Sequence, residues 1–160
     1  MTREFGRAPL GERVSDGVPR NRGTVTSMLG GLTLRGGLEA MMTIEGGTDG
    51  DVFVTFLEDI LGPILQPGDL VVMDNAGSHK DPRVVPTLAR FGAKPVYLPP
   101  YSPQFNPIEL AWSVLKGFLR DAKARDVETL NNCIGWGMTL VTTEMTAALF
   151  RHCGYGVQLT

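Results

Sequence analysis

The sequence predicts one domain of the α/β class, and three features carry that expectation. Residues 24–45 are rich in β-branched and apolar side chains on either side of Arg35-Gly36-Gly37, the pattern of a strand hairpin. Residues 53–64 space Phe53, Phe56, Leu57, Ile60, Leu61 and Ile64 by three and four, the stripe of an amphipathic helix. Beyond that helix, short apolar runs at 69–74 and 94–98 alternate with helical stretches, which points to parallel strands joined by crossovers.

Residues 1–23 are dense in Gly, Pro and Arg and read as loop. The first strand, 24–34, is interrupted at Gly30-Gly31, where two residues without side chains weaken a strand, and the second, 38–45, pairs back. Gln66-Pro67-Gly68 stops the amphipathic helix. "DLVVMD" (69–74) is a continuous apolar run, as expected of a strand buried on both faces. Asp81-Pro82 reads as an N-cap and first-turn proline opening a helix to about Phe91, and "KPVYL" (94–98) is the next strand. From Asn106-Pro107 the chain reads as helices, the first with Ile108, Trp112, Leu115, Leu119 and Ala122 on its buried face. Lys116, Arg120, Lys123 and Arg125 follow on the same helix.

At 160 residues the chain is long enough for a real core, and 42% hydrophobic with 20% charged residues fits a soluble globular protein. No apolar run reaches the roughly 18 residues of a membrane helix, and the N-terminus has no signal-peptide core, so a cytoplasmic protein is expected. Cys133 and Cys153 have no metal spacing and read as reduced thiols; His152 beside Cys153 is a weak metal pair. A net charge of −2 gives no bulk attraction for nucleic acid, although five arginines crowd the first 22 residues.

Two acids draw the chemistry. Asp74 follows the buried strand, and Asp-Asn there is also ordinary turn chemistry. Glu109 sits three residues after Asn106 in the first turn of a helix, where capping and the helix dipole favour an acid without any further role. The approach to Glu109 strains that simpler reading, because Pro99, Pro100, Pro103 and Pro107 fix φ along it. A metal ligand needs such positioning; a cap does not.

"VVMDNAGSHK" followed by "YLPPYSPQFNPIELAWSVLK", with 34 residues (75–108) between the acids, resembles the second and third acidic motifs of DDE transposases. The nearest likeness is to the bacterial insertion-sequence branch of the mariner superfamily, and "MTREFGRAPLGERV" and "FRHCGY" extend it over nearly the whole chain. The resemblance implies a ribonuclease H-like mixed sheet flanked by helices. It implies Asp74 and Glu109 as catalytic metal ligands for Mg2+ or Mn2+, two ions in the complete site, acting on DNA ends and target. Lys116 and Arg120 would then meet the phosphate backbone, while His79 faces either phosphate or solvent. It also implies that the family's first aspartate, on the first central strand, and the helix-turn-helix module lie upstream of the matched segment. On that reading the chain is one partial catalytic domain over 1–160, N-terminally truncated. It is then inactive alone, completed by an upstream-frame polypeptide, and a homodimer when whole. A decayed product, or a non-catalytic fragment that binds DNA or transposase subunits, is the alternative.

Overall fold

The computed structural model describes residues 9–12, 25–124 and 126–157. The expected N-terminal loop therefore lies largely outside the described residues, as does Arg125. The hairpin forms as β1 (Thr26–Thr33) and β2 (Gly37–Glu45), antiparallel, with Gly37 at φ 79° completing the turn. Gly30-Gly31 does not interrupt β1. The two glycines admit large neighbours: a Cβ on Gly30 would stand 2.7 Å from the Trp112 ring, and one on Gly31 would stand 2.6 Å from Leu61. Successive residues of a strand point to opposite faces, so Trp112 and Leu61 cover opposite faces of the hairpin.

A bulge makes β2 serve both faces. Gly31 pairs with Ala40, but Leu32 pairs with Leu38, leaving Glu39 as the extra residue. Ala40 and Leu38, two apart, would share a face in a regular strand. Here Ala40 joins one core with Phe53, Phe56, Leu57, Leu61, Met73 and Leu88, while Leu38 joins another with Ala111, Leu115, Leu119 and Ile134. The domain has two apolar centres, one on each side of the hairpin.

The first core is capped by the amphipathic segment. It starts as α1 (Gly50–Thr55), where the Asp49 carboxylate accepts from the Val52 amide at 2.9 Å. It then widens into π-helical turns (Phe56–Leu61) and closes as a 3₁₀ turn (Gly62–Ile64). Pro63 has no N–H and disfavours a regular α-turn before it, which accounts for the widening. The expected stripe holds, with Phe53, Phe56, Leu57 and Leu61 buried and Ile60 and Ile64 packed against them.

Next, β3 (Leu70–Met73) pairs in parallel with β4 (Lys94–Tyr97) through the crossover helix α2 (Val84–Arg90). Pro95 lacks an N–H, which suits an edge strand. Two of the sequence expectations fail here. β3 is not buried on both faces: Leu70 is 64% exposed and only Met73 is buried, because β3 has no second neighbour among the described residues. And α2 starts at Val84 rather than at Asp81-Pro82. The Asp81 carboxylate accepts from the Arg83 amide at 2.9 Å, forming a turn that delays the helix.

The second core is helical. α3 (Pro107–Ala122) buries Pro107, Ala111, Leu115 and Leu119, whereas Ile108 and Trp112 are half-buried and Ala122 is exposed. The expected stripe is thus rotated by part of a turn. Asn106 holds the cap position without a side-chain cap bond, and Lys123, at φ 49°, ends the helix. α4 (Val127–Thr139) and α5 (Thr143–His152) pack on α3; Asp126 and Thr142 cap them by accepting from the amides of Thr129 and Met145 at 2.7 and 3.2 Å. The result is a mixed α/β domain in which the described strands form two separate two-stranded sheets. No helix among the described residues is long and apolar enough to cross a membrane.

Candidate active site

Asp74 follows the last residue of β3, so the strand delivers it to the sheet's C-terminal rim. Its side chain is 57% exposed. One carboxylate oxygen accepts from the Ala76 amide at 2.9 Å and lies 2.7 Å from Nδ1 of His79. The ring of His79 in turn packs against that of Phe53, tilted by 41° with centroids 4.3 Å apart. Tyr97, at the end of β4, donates its hydroxyl to the His79 carbonyl at 2.8 Å. The histidine that the sequence left between phosphate and solvent is therefore a neighbour of Asp74, backed by an aromatic ring.

The loop carrying His79 is tied to the start of α1 by charge. Arg83 meets Asp81 at 2.8 Å and Asp51 at 2.7 Å. The side-chain hydrogen bond from Arg83 holds the Asp81 carboxyl down at about 2, and the same two acids raise the guanidinium above its ordinary value. A Cβ on Gly50 would stand 2.2 Å from the Asp81 carboxylate, so a larger residue there would displace that carboxylate.

Glu109 reaches the same rim by a different route. The ladder continues one step past β4, with the Leu98 amide donating to the Met73 carbonyl at 2.9 Å, and the Asn75 side-chain amide donates to the Leu98 carbonyl. The prolines then carry the chain through Tyr101, at φ 56°, into a 3₁₀ turn over Pro103–Phe105. There the Tyr155 hydroxyl donates to the Phe105 carbonyl at 2.8 Å. Burial raises the pKa of that phenol. Asn106 and Pro107 are buried, and Glu109 emerges exposed in the first turn of α3. The rigid approach is thus pinned at both ends, by Asn75 and by Tyr155. Neither anchor has a sequence signal beyond being a polar residue beside a turn.

Asp74 and Glu109, with Asn106, border two adjoining cavities of about 380 and 250 Å3. His79 borders the larger, Asn75 and Ser102 the smaller. Lys116 and Arg120 line neither, and lie further along α3. Cys133 and Cys153 are free thiols, and burial raises the pKa of Cys153.

Two accessible carboxylates flanked by side-chain amides are hard oxygen donors, the set that suits Mg2+ or Mn2+ with waters filling the remaining positions. The donor chemistry fits a divalent ion, but no group of three or more His, Cys, Asp or Glu suited to a metal occurs among the described residues. Asp74 and Glu109 are the two acids that border both cavities. Comparison with known proteins finds one family model, described as DDE superfamily endonuclease, matching residues 1–131. No curated protein matches the sequence.

Proposed function

Because the chain belongs to the DDE superfamily endonuclease family, we propose that it is the catalytic part of a DNA transposase of the mariner superfamily's bacterial insertion-sequence branch. Membership implies a nuclease-type function with DNA as substrate, in a family whose domains generally use divalent metal ions. The finer reading rests on one observation above all. Two acids with 34 residues between them in sequence, one on a strand end and one on a proline-guided helix start, border the same pair of cavities.

In this reading Asp74 and Glu109 hold Mg2+ or Mn2+, two ions in the complete site. When bound there, the metal would supply Lewis-acid activation of a water or 3′-hydroxyl nucleophile for phosphodiester chemistry on DNA. The protein's own groups fix the geometry. The Ala76 amide orients the Asp74 carboxylate, and His79, held between Phe53 and Tyr97, stands ready to donate to a phosphate oxygen. Lys116 and Arg120 bind backbone phosphates away from the reacting atoms. The domain is of ribonuclease H-like type with its first central strand missing from the described elements. A third carboxylate comes from an upstream segment, in one chain or as a separate-frame polypeptide, and the completed enzyme works as a homodimer on the element's ends.

Metal-dependent nicking of labelled DNA tests this. The chain alone should cut little or not at all. Fusion to an upstream segment bearing a strand with a terminal aspartate and a DNA-recognition module should restore cutting, and Asp74→Asn or Glu109→Gln in the fusion should abolish it. Each change removes ion-holding charge at nearly constant size. Efficient cutting by the isolated chain overturns the incomplete-site reading, and cutting by the doubly neutralised fusion overturns the ligand assignment. That no group of three or more His, Cys, Asp or Glu suited to a metal occurs among the described residues favours, as second reading, a non-catalytic remnant that binds DNA or transposase subunits. That reading predicts no cutting even in the fusion.

A further inference from the structure

The approach to Glu109 carries a side chain that the fold does not use. Tyr101 is 101% exposed, so its ring gains nothing from packing among the described residues. It nevertheless holds φ 56°, a left-handed conformation that bulky residues rarely adopt. The surrounding backbone enforces that conformation. The Ser102 hydroxyl donates across Tyr101 to the Pro100 carbonyl at 3.2 Å, and Pro99, Pro100 and Pro103 fix φ on either side. Glycine or asparagine would hold such a turn with less strain. Tyr101 and the two acids line the same cavity of about 250 Å3, and among the described residues no Lys, Arg or His lines it.

We propose that Tyr101 is a stacking platform for one nucleobase. It takes the flat face of an unpaired or strand-end base of DNA, and so positions the phosphate next to that base beside Asp74 and Glu109. A cavity wall without a cation has no charge to pair with a phosphate, so what this wall offers a nucleotide is a ring face, which suits the base. Bases inside a duplex show only their edges in the grooves, so a face is open only where a base is unpaired or ends a strand. The restraint on the loop serves the same end. The ring is held in place before DNA arrives, so stacking on it orders no loop. The inference rests on the proposed DNA substrate for the identity of its ligand; the exposure and the restraint of the ring stand without it. Tyr101 is on this account a positioning residue that touches DNA away from the reacting atoms.

Photo-cross-linking of the whole chain in Mg2+ tests it. The probe is a DNA hairpin with a short 3′ overhang in which one thymine is replaced by 5-iodouracil, a base that on irradiation joins covalently to an aromatic ring stacked on it. The cross-link should map to Tyr101 by mass spectrometry when the iodouracil is in the overhang, and should vanish when it is in the paired stem. Tyr101→Leu should lose the cross-link and weaken binding of the overhang hairpin about tenfold, within the range of one base–aromatic stack. Binding of a blunt hairpin should not change, and Tyr101→Phe should keep both the cross-link and the affinity. Tyr101→Asn, which suits the left-handed backbone, should lose the cross-link without lowering the melting temperature. The proposal is overturned if no cross-link forms, if it maps to another aromatic residue, or if Tyr101→Leu weakens blunt and overhang hairpins equally. It is also overturned if Tyr101→Leu changes self-association and leaves overhang binding intact, which would make the ring a protein contact. Loss of cutting in the fusion on Asp74→Asn, with overhang binding unmoved by Tyr101→Leu, refutes the stacking and leaves the metal site standing. A Tyr101 cross-link in a fusion that still cuts with both acids neutralised does the reverse.

Discussion

Replacing Gly137 by alanine should destabilise the domain, while the same change two residues earlier, at Gly135, should stabilise it. Both glycines lie inside α4, where alanine is favoured over glycine by about 1 kcal/mol. A Cβ on Gly135 meets nothing within 4 Å, so that gain stands unopposed. On Gly137 it would lie 2.3 Å from Leu115 Cδ1 and 3.1 Å from Phe118 Cδ1, and Leu115 is fully buried with no room to withdraw. Overpacking a filled core costs about 1–3 kcal/mol, so the propensity gain is cancelled or reversed. The two variants should differ by about 1–3 kcal/mol, with Gly135→Ala melting about 2–4 °C above the parent and Gly137→Ala at or below it. Thermal denaturation followed by circular dichroism reads both. Equal stabilisation by the two changes would refute the close packing of α4 on α3 that fixes the helix carrying Glu109.

Two further outcomes follow from the anchors around the site. Asp81 has its folded pKa near 2, below the ordinary 3.8, so its contribution is present above pH 4 and lost as pH falls toward 2. Asp81→Asn should therefore lower Tm at neutral pH by an amount that disappears by pH 2 and shrinks in high salt, since the pair is exposed; a gap that persists at pH 2 would show that the charge is not its cause. Tyr155→Phe removes the bond to the Phe105 carbonyl and should cost about 1 kcal/mol, with faster amide exchange confined to the turn leading to Glu109. Unchanged exchange there would mean that the prolines alone hold the approach.

The sequence made legible whatever local periodicity and turn chemistry determine. The hairpin, the apolar stripe from Phe53 to Ile64, both short strands and the proline-guided start of α3 all lie where their patterns place them. The misses share a cause, which is dependence on partners distant in the chain. The continuous run "LVVM" looks like a strand covered on both sides, but Leu70 is exposed because coverage depends on a neighbour that periodicity does not report. Asp81-Pro82 looks like a helix start, yet the Arg83 side chain and amide claim the carboxylate first. The bulge at Glu39 has no signature, and it decides which core each β2 side chain enters. At the cavities, the placement of Asp74 at a strand end and of Glu109 in a first helical turn could be read from pattern and turn chemistry. The ring of Phe53 behind His79, the Asn75 bond to Leu98 and the Tyr155 bond to Phe105 join segments far apart in sequence, and a linear reading does not reach them.

The position of the two acids depends on how the two cores meet. Asp74 follows Met73, a member of the core beneath α1, whereas Glu109 rides on α3, whose Ala111 and Leu115 belong to the other core. The hairpin is the element shared by both, through Ala40 on one face and Leu38 on the other. Trp112, one turn beyond Glu109, rests over Gly30 of β1, and Leu61 rests over Gly31 on the opposite face. A shift of the hairpin is therefore a shift of Glu109 relative to Asp74. Among the described residues β1 and β3 do not bond each other, so that relation is held by side-chain packing and the partly exposed Arg35–Asp69 pair, a weak constraint in water.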